Sequence, residues 1–271
     1  MNPVICIEML HPDIKPEERI KKIKQAGFFW IEFWDWKDKN IELLESRCYQ
    51  FNVNVANFSG QRQGSLIASD THQKVFTDLK DAIKVAKKLN CPYLMLLTDE
   101  LGEGGIVKQN FSEISPKEKY DNILFGLEKI IKLTPDSITL VLEILNTKID
   151  HPGYYLDNME TAVKIVREIN HPRLKILADL YHLGVMEHDI KQIIKKYLSE
   201  IGYIHIADIP GRHEPGTGSV DWYSILKLIK EKGYHGFVGF EYSPANDSDE
   251  SLIKIKNLWQ YIFPDFAPTA Y

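Results

Sequence analysis

The sequence has few cysteines and no long apolar run. Cys6, Cys48 and Cys91 are the only three cysteines in 271 residues, and no two of them have the CxxC spacing of a zinc or redox motif. We interpret them as reduced, buried thiols. No stretch approaches the roughly 20 apolar residues that span a bilayer, and the N-terminus lacks the pattern of a secretory signal. These absences predict a cytoplasmic protein with no membrane partner.

An excess of basic residues is also missing. Lysine and arginine total 33 against 38 acidic residues, which gives a formal net charge of −5. Proteins that bind phosphate backbones need a surplus of basic side chains, so we expect no nucleic-acid partner. A small polyhydroxy compound or oxo acid is the expected partner, bound by a homo-oligomer of this chain.

Short apolar runs rich in β-branched and aromatic residues alternate with amphipathic segments of helical spacing. The predicted strands are Val4–Met9, Trp30–Phe33, Val53–Phe58, Tyr93–Leu97, Ile138–Glu143, Leu174–Asp179, Ile201–Ile206 and Phe237–Glu241. The predicted helices are Lys15–Gln25, Ile41–Tyr49, Asp70–Leu89, Pro116–Lys132, Asn158–Ile169, Asp189–Leu198, Trp222–Lys232 and Ser248–Tyr261.

Eight strand-then-helix units predict an α/β fold that is a single (β/α)₈ TIM barrel, with one domain over residues 1–271. An open doubly wound sheet is the competing interpretation. No GxGxxG follows the first predicted strand, where Leu10, His11 and Pro12 stand instead. The fingerprint of a dinucleotide-binding sheet is therefore absent.

Four successive predicted strands each carry, at or next to the C-terminal end, a side chain that can bind a metal or transfer a proton. They contribute Glu143, Asp179, His205 and Glu241. In a barrel of this kind the catalytic groups project from the C-terminal ends of the strands, so these four should meet. Three carboxylates and an imidazole predict a site for one divalent cation: Mn²⁺, Mg²⁺, Co²⁺ or Zn²⁺, with the oxygen-rich set favouring the harder ions.

Several segments resemble the hydroxypyruvate isomerase family, within the xylose-isomerase-like TIM barrel superfamily. The resemblance runs over nearly the whole chain and is densest from the fifth strand onward. The segments that carry it are LEILN at 142–146, DLYH at 179–182, IADIPGRHEPGTG at 206–218 and GFVGFEYSP at 236–244, together with Glu32 and Asn57.

This resemblance implies that Glu143, Asp179, His205 and Glu241 are the metal ligands, and that Glu143 and Glu241 also act as the catalytic acid/base pair. The implied activity is isomerisation of a small hydroxy-oxo acid or sugar through an enediolate, foremost hydroxypyruvate to tartronate semialdehyde. Some hydroxypyruvate isomerase relatives have glutamine where this chain has His205, whereas histidine is usual in the sugar epimerases. A ketose 3-epimerase and a 2-oxo-tetronate isomerase therefore remain alternatives, and an endonuclease IV-like DNA repair enzyme is a more remote one.

The remaining candidates are substrate-binding residues. His182, three residues after Asp179 on the expected turn, could donate a hydrogen bond to a substrate oxygen, and the guanidinium of Arg212 suits a substrate carboxylate. Glu32 and Asn57 complete this group by their match to the family pattern. The aromatic residues Phe33, Trp34 and Trp36 could form an apolar wall that keeps water off the reacting carbons.

Overall fold

The computed structural model describes residues 1–187 and 189–264, and only the backbone of Glu187. Eight parallel strands pair in chain order, and the last pairs with the first to close a barrel. The predicted (β/α)₈ fold is confirmed. The proposed domain, residues 1–271, also contains residue 188 and residues 265–271, which lie outside the described residues.

The observed strands agree with the predicted ones to within a few residues at each end. They are β1 (Asn2–Cys6), β2 (Trp30–Glu32), β3 (Asn54–Ser59), β4 (Tyr93–Leu96), β5 (Thr139–Glu143), β6 (Leu174–Asp179), β7 (Ile201–Ile206) and β8 (Phe237–Phe240).

Nine α-helices are seen in the described residues, one more than predicted. They are α1 (Pro16–Ala26), α2 (Ile41–Phe51), α3 (His72–Lys88), α4 (Pro116–Leu133), α5 (Met159–Ile169), α6 (Leu180–Glu187), α7 (Ile190–Tyr197), α8 (Trp222–Glu231) and α9 (Ser248–Ile262). Short 3₁₀ helices lie at Ser69–Thr71 and Glu103–Gly105. In the part of the chain that the structure describes, no helix has the length and apolar character needed to cross a bilayer.

Helix α6 corrects the expectation of a simple turn after Asp179. The Oδ1 atom of Asp179 accepts hydrogen bonds from the backbone N–H groups of Tyr181 and His182, at 2.8 and 3.2 Å. A carboxylate at this position satisfies N–H groups of a first helical turn that have no partner within the helix. The strand-end aspartate thus starts the helix, and His182 lies in its first turn.

Inward-facing and outward-facing side chains alternate along the strands. On β7, Tyr203 lies inside the barrel with a separate apolar cluster, whereas Ile204 and Ile206 belong to the main core beneath the helices. Because the side-chain period of a strand is two, His205 returns to the interior, one layer above Tyr203. The same count from Val141 on β5 and Leu177 on β6 brings Glu143 and Asp179 inward.

The interior below this polar layer is filled with apolar side chains. The cluster contains one residue from each of seven strands and is packed against Trp30 and Tyr93: Val4, Ala56, Met95, Val141, Leu177, Tyr203 and Phe237. The barrel is therefore a packed core and not a channel, and the polar layer can be approached only from the C-terminal mouth. The three cysteines are free and buried, as predicted.

The loop between β7 and α8 is organised around a fully buried carboxylate. Asp208 has 0% exposure, and its oxygens accept four backbone hydrogen bonds, from Ile209, Gly216, Gly218 and Val220, at 2.7 to 3.2 Å. This carboxylate fixes the course of the loop that carries Arg212.

We expect Asp208→Ala to lower the free energy of unfolding by about 2–4 kcal/mol, because it leaves buried N–H groups without acceptors. Denaturant unfolding followed by circular dichroism measures the loss. Asp221→Ala, which removes an exposed helix cap from the same loop, is the control and should cost less. Equal losses for the two variants would contradict the structural role of Asp208.

Candidate metal centre

Glu143, Asp179, His205 and Glu241 form one compact buried cluster. One ligand atom from each residue can be chosen so that all four atoms lie within 4.8 Å of one another. His205 Nδ1 is 3.3 Å from Glu143 Oε1, 3.2 Å from Glu241 Oε2 and 3.9 Å from Asp179 Oδ2. None of the four residues is more than 5% exposed. The four strand-end residues therefore meet at one point and could hold a metal ion.

The His205 ring is oriented from behind by Glu32. Its Nε2 atom is 3.1 Å from Glu32 Oε2, which also accepts a hydrogen bond from the Tyr203 hydroxyl at 2.6 Å. With the Nε2 proton donated to Glu32, Nδ1 faces the cluster, and it makes no hydrogen bond there. A carboxylate behind an imidazole commonly fixes the tautomer of a metal-binding histidine.

This pair requires glycine at position 239. A Cβ atom built on Gly239 would lie 2.3 Å from Glu32 Oε1 and 2.7 Å from His205 Cδ2. Any larger residue on β8 at this height would displace the ring or the carboxylate behind it.

Glu241 is held by two donors from loops at the barrel mouth. The indole Nε1–H of Trp34 donates to Oε1, and Arg212 donates from Nη2 to Oε2 at 3.0 Å. Arg212 packs its guanidinium over the Tyr181 ring, 5.3 Å from the ring centroid. Both oxygens of Glu241 are thus positioned by the protein, while the side chain of Glu143 has no comparable donor among the described residues.

The buried charges shift the protonation of the cluster. Burial and the neighbouring charge of Glu241 raise the pKa of Asp179 to about 7, and burial also raises the pKa of Glu143. Burial alone would lower the pKa of His205, but the carboxylates around it, foremost Glu32, raise that pKa well above its ordinary value. The pKa of Glu241 is lowered despite burial, because Arg212 and His205 favour its charge.

These features fit a divalent cation. Three buried carboxylates repel one another unless positive charge lies between them. His205 Nδ1 is a buried nitrogen without a hydrogen-bond partner and is close to all three. An oxygen-rich set with one imidazole suits Mn²⁺, Mg²⁺ or a similar ion.

His182 lies beside the cluster in a fixed orientation. The Oδ1 atom of Asn146 accepts hydrogen bonds from the backbone N–H groups of Ile149 and Asp150. The other end of this amide, Nδ2, therefore donates to His182 Nδ1, at 2.6 Å. The proton of His182 is therefore on Nε2, a buried atom without a hydrogen-bond partner that is 3.6 Å from Asp179 Oδ2. Burial lowers the pKa of His182, which keeps the ring neutral.

A cavity of about 320 Å³ opens above the cluster. Glu143 and Glu241 line it, whereas Asp179 and His205 are not among its lining residues. Of the predicted substrate-binding residues Arg212 lines it, and His182, Glu32 and Asn57 do not. Asn57 is buried on β3 beside Glu32, and its Oδ1 has no hydrogen-bond partner.

Other cavity residues were not predicted from the sequence. Arg62, Asp150 and His151 line the cavity, as do Leu101 and three glycines that follow it, Gly102, Gly104 and Gly105. Of the three aromatic residues proposed as a wall, Trp34 alone lines it. An inward alternation from Trp30 through Glu32 would have indicated Trp34, but no periodic signal marks the loop residues Arg62, Asp150 and His151.

A sequence model of the xylose isomerase-like TIM barrel family matches residues 20–258, most of the chain. The chain belongs to this family. Two curated relatives from human and mouse, provisionally named hydroxypyruvate isomerase, are 30% identical over 67% of this chain, and the match spans 64% of their own length. The 2-oxo-tetronate isomerase of Pectobacterium atrosepticum is 25% identical over 91% of this chain and 93% of its own.

Among solved structures, a Brucella melitensis protein described as AP endonuclease, family 2, is similar, with a TM-score of 0.84 and 25% identity. The match covers 94% of this chain and 98% of that one. The names of the curated relatives support the expectation that this member of the family is an isomerase.

We expect Glu32→Gln to lower the affinity for Mn²⁺ by about 10–100-fold, because a carboxylate behind a metal-binding imidazole sets its orientation and basicity. Calorimetric titration of Mn²⁺ into metal-free protein gives the affinity. Glu17→Gln is a matched control, because Glu17 is equally buried but caps the backbone N–H of Asn40 instead. Unchanged Mn²⁺ binding in Glu32→Gln would argue against its role behind His205.

Proposed function

We propose that this chain is a metal-dependent isomerase of small hydroxy-oxo acids, of the hydroxypyruvate isomerase type, which converts hydroxypyruvate to tartronate semialdehyde. One observation carries the proposal. Of the four clustered residues, the two glutamates line the small cavity, while Asp179 and His205 do not. Glu143 and Glu241 are thus the cluster members able to touch both a cation and a substrate.

The chemistry of aldose–ketose interconversion requires such a pair. A proton must leave the carbon next to a carbonyl and return to the neighbouring carbon, and a carboxylate is a weak base for this step unless the developing negative charge is stabilised. A divalent cation held by Glu143, Asp179, His205 and Glu241 would supply that stabilisation as a Lewis acid.

The other residues are assigned by their contacts. Glu143 and Glu241 take and return the proton. Trp34 and Arg212 hold the two oxygens of Glu241 in place, and the apolar walls, which include Met95, Leu97 and Leu145, exclude water from the reacting carbons. Glu32 positions His205, and His182 presents its Nε2–H beside Asp179.

A 2-oxo-tetronate isomerase is the second candidate, supported by the relative of that name that matches over 91% of this chain. A ketose 3-epimerase would use the same pair of glutamates, and His205 is compatible with it. The DNA repair alternative is less well supported. Among the described residues only one cluster of possible metal ligands is found, and it contains a single histidine. The net charge of −5 also disfavours a DNA-binding groove.

Removal of the metal tests whether the activity depends on a divalent cation. Treatment with a chelator should abolish isomerisation, and Mn²⁺ or Mg²⁺ should restore it. Proton NMR in heavy water, with hydroxypyruvate, 2-oxo-tetronate and a neutral ketose as substrates, reports both conversion and deuterium uptake. Full activity in protein shown to be metal-free would contradict the proposal.

Substitution of the glutamates tests the acid/base pair. Glu143→Gln and Glu241→Gln keep the side-chain shape but cannot carry a proton, so each should lower kcat by about 10²–10⁴-fold and suppress deuterium uptake. Glu17→Gln, remote from the cavity, should behave like the unmodified protein. Deuterium uptake that persists in both variants would remove Glu143 and Glu241 as the pair.

Arg212 was expected to bind a substrate carboxylate, but its contact with Glu241 favours a different role. Because it holds Glu241, we expect Arg212→Ala to lower kcat by about 10-fold or more for oxo acids and neutral ketoses alike, as the loss of a charge-assisted hydrogen bond would. Steady-state kinetics with both substrate types measure the effect. A loss confined to the acids would restore the original assignment.

A further inference from the structure

The clustered ligands occupy one half of the barrel mouth. Glu143, Asp179, His205 and Glu241 come from β5 to β8 or directly follow them, and Arg212 follows β7. In a ring of eight strands paired in order, β3 stands opposite β7. A substrate whose reacting carbons lie against the cluster therefore extends toward the loops that follow β2, β3 and β4.

Arg62, in the loop after β3, is the charged residue that this opposite half contributes to the cavity. The other contributions from β2 to β4 and their loops are apolar side chains and glycines, among them Trp34, Met95 and Leu101. The backbone around Arg62 is anchored, since Asp78 Oδ2 accepts the N–H groups of Arg62 and Gln63 at 2.6 and 3.1 Å. The position of the side chain at the cavity wall follows from this fixed backbone.

The acidic residues around Arg62 already have other partners. Asp78 forms an ion pair with Lys37 in addition to its two backbone hydrogen bonds. Glu100 accepts the N–H of Gly64 at 2.7 Å and pairs with Lys108 at 2.6 Å. In the described structure the guanidinium of Arg62 has no hydrogen bond and no ion pair, although such groups are matched in shape and charge to carboxylates.

The two arginines of the cavity thus differ in whether an acidic side chain pairs with them. Arg212 is partly buried and its charge is opposed by Glu241, with Asp179, Asp150 and Glu143 also close enough to act on it, although its Nε has no hydrogen-bond partner. Arg62 is also partly buried, but no acidic side chain of the described residues pairs with its guanidinium. An anionic group at the end of a ligand that points away from the cluster would find its complementary charge at Arg62.

We propose that Arg62 binds the carboxylate of the substrate across the cavity from the metal cluster, and so selects oxo acids over neutral ketoses. The inference rests on the proposed isomerase function and names the residue that would select its carboxylate-bearing substrates. Arg62 is a specificity-determining residue in this account and takes no part in proton transfer.

Kinetics with matched substrates test the proposal. Arg62→Ala should raise KM for hydroxypyruvate and 2-oxo-tetronate by about 10–100-fold, the loss expected for a hydrogen-bonded charge pair, with kcat little changed. KM for a neutral ketose should not change, and Arg62→Lys should recover part of the loss. Arg47→Ala, which removes an arginine paired with Glu18 outside the cavity, is the control. An equal loss for acids and ketoses would overturn the proposal.

Binding without turnover separates this proposal from the isomerase function. Glycerate and glycerol differ by one carboxylate, and calorimetry on Mg²⁺-loaded protein should show a preference for glycerate that Arg62→Ala abolishes and Arg47→Ala retains. This result would support the role of Arg62 even if no substrate in the panel were converted. A preference unaffected by Arg62→Ala would overturn it. Tighter binding of glycerol 3-phosphate than of glycerate, lost in Arg62→Ala, would replace the carboxylate with a phosphate.

Discussion

Mutual repulsion among three buried carboxylates is the constraint on which the site depends. Glu143, Asp179 and Glu241 surround a single imidazole within a few ångströms, where water cannot screen them. The apolar layer beneath offers them no partner from below. Positive charge must therefore come from a cation in the cluster, from His205 or from Arg212. Much of the surrounding structure, from Glu32 behind the ring to Trp34 on Glu241, maintains this arrangement.

Residues with different proposed roles lie at different depths and on different sides of the barrel mouth. Asp179 and His205 do not line the cavity, whereas the two glutamates do. Asp179 has a further structural role, because its Oδ1 atom accepts hydrogen bonds from the first turn of helix α6 and thereby positions His182. Arg212 and Arg62 approach from opposite sides of the mouth, one bound to a cluster glutamate and one unpaired. We therefore expect the reaction at the side of the cavity that carries the cluster, and substrate recognition at the side that carries Arg62.

The fold and the cluster were accessible from sequence because both follow short-range patterns. The ends of β6 and β7 were predicted to the residue, and a strand period of two then aligns Asp179 and His205. Helix α6 was missed because its start depends on a side chain of the preceding strand. The position of Glu32 behind His205, and the pairing of Arg212 with Glu241, arise from closure of the barrel and loop course, which no local pattern encodes. The assignment of Arg62 likewise required knowing that its acidic neighbours are already paired.

Binding of one divalent cation by these four side chains can be observed in a crystal. Crystals grown with Mn²⁺, measured by anomalous diffraction at the manganese edge, test it most directly. We expect one strong peak per chain, within coordination distance of His205 Nδ1 and of oxygens from Glu143, Asp179 and Glu241. A cluster that remains without a peak at saturating Mn²⁺, or a peak bound elsewhere in the chain, would contradict it.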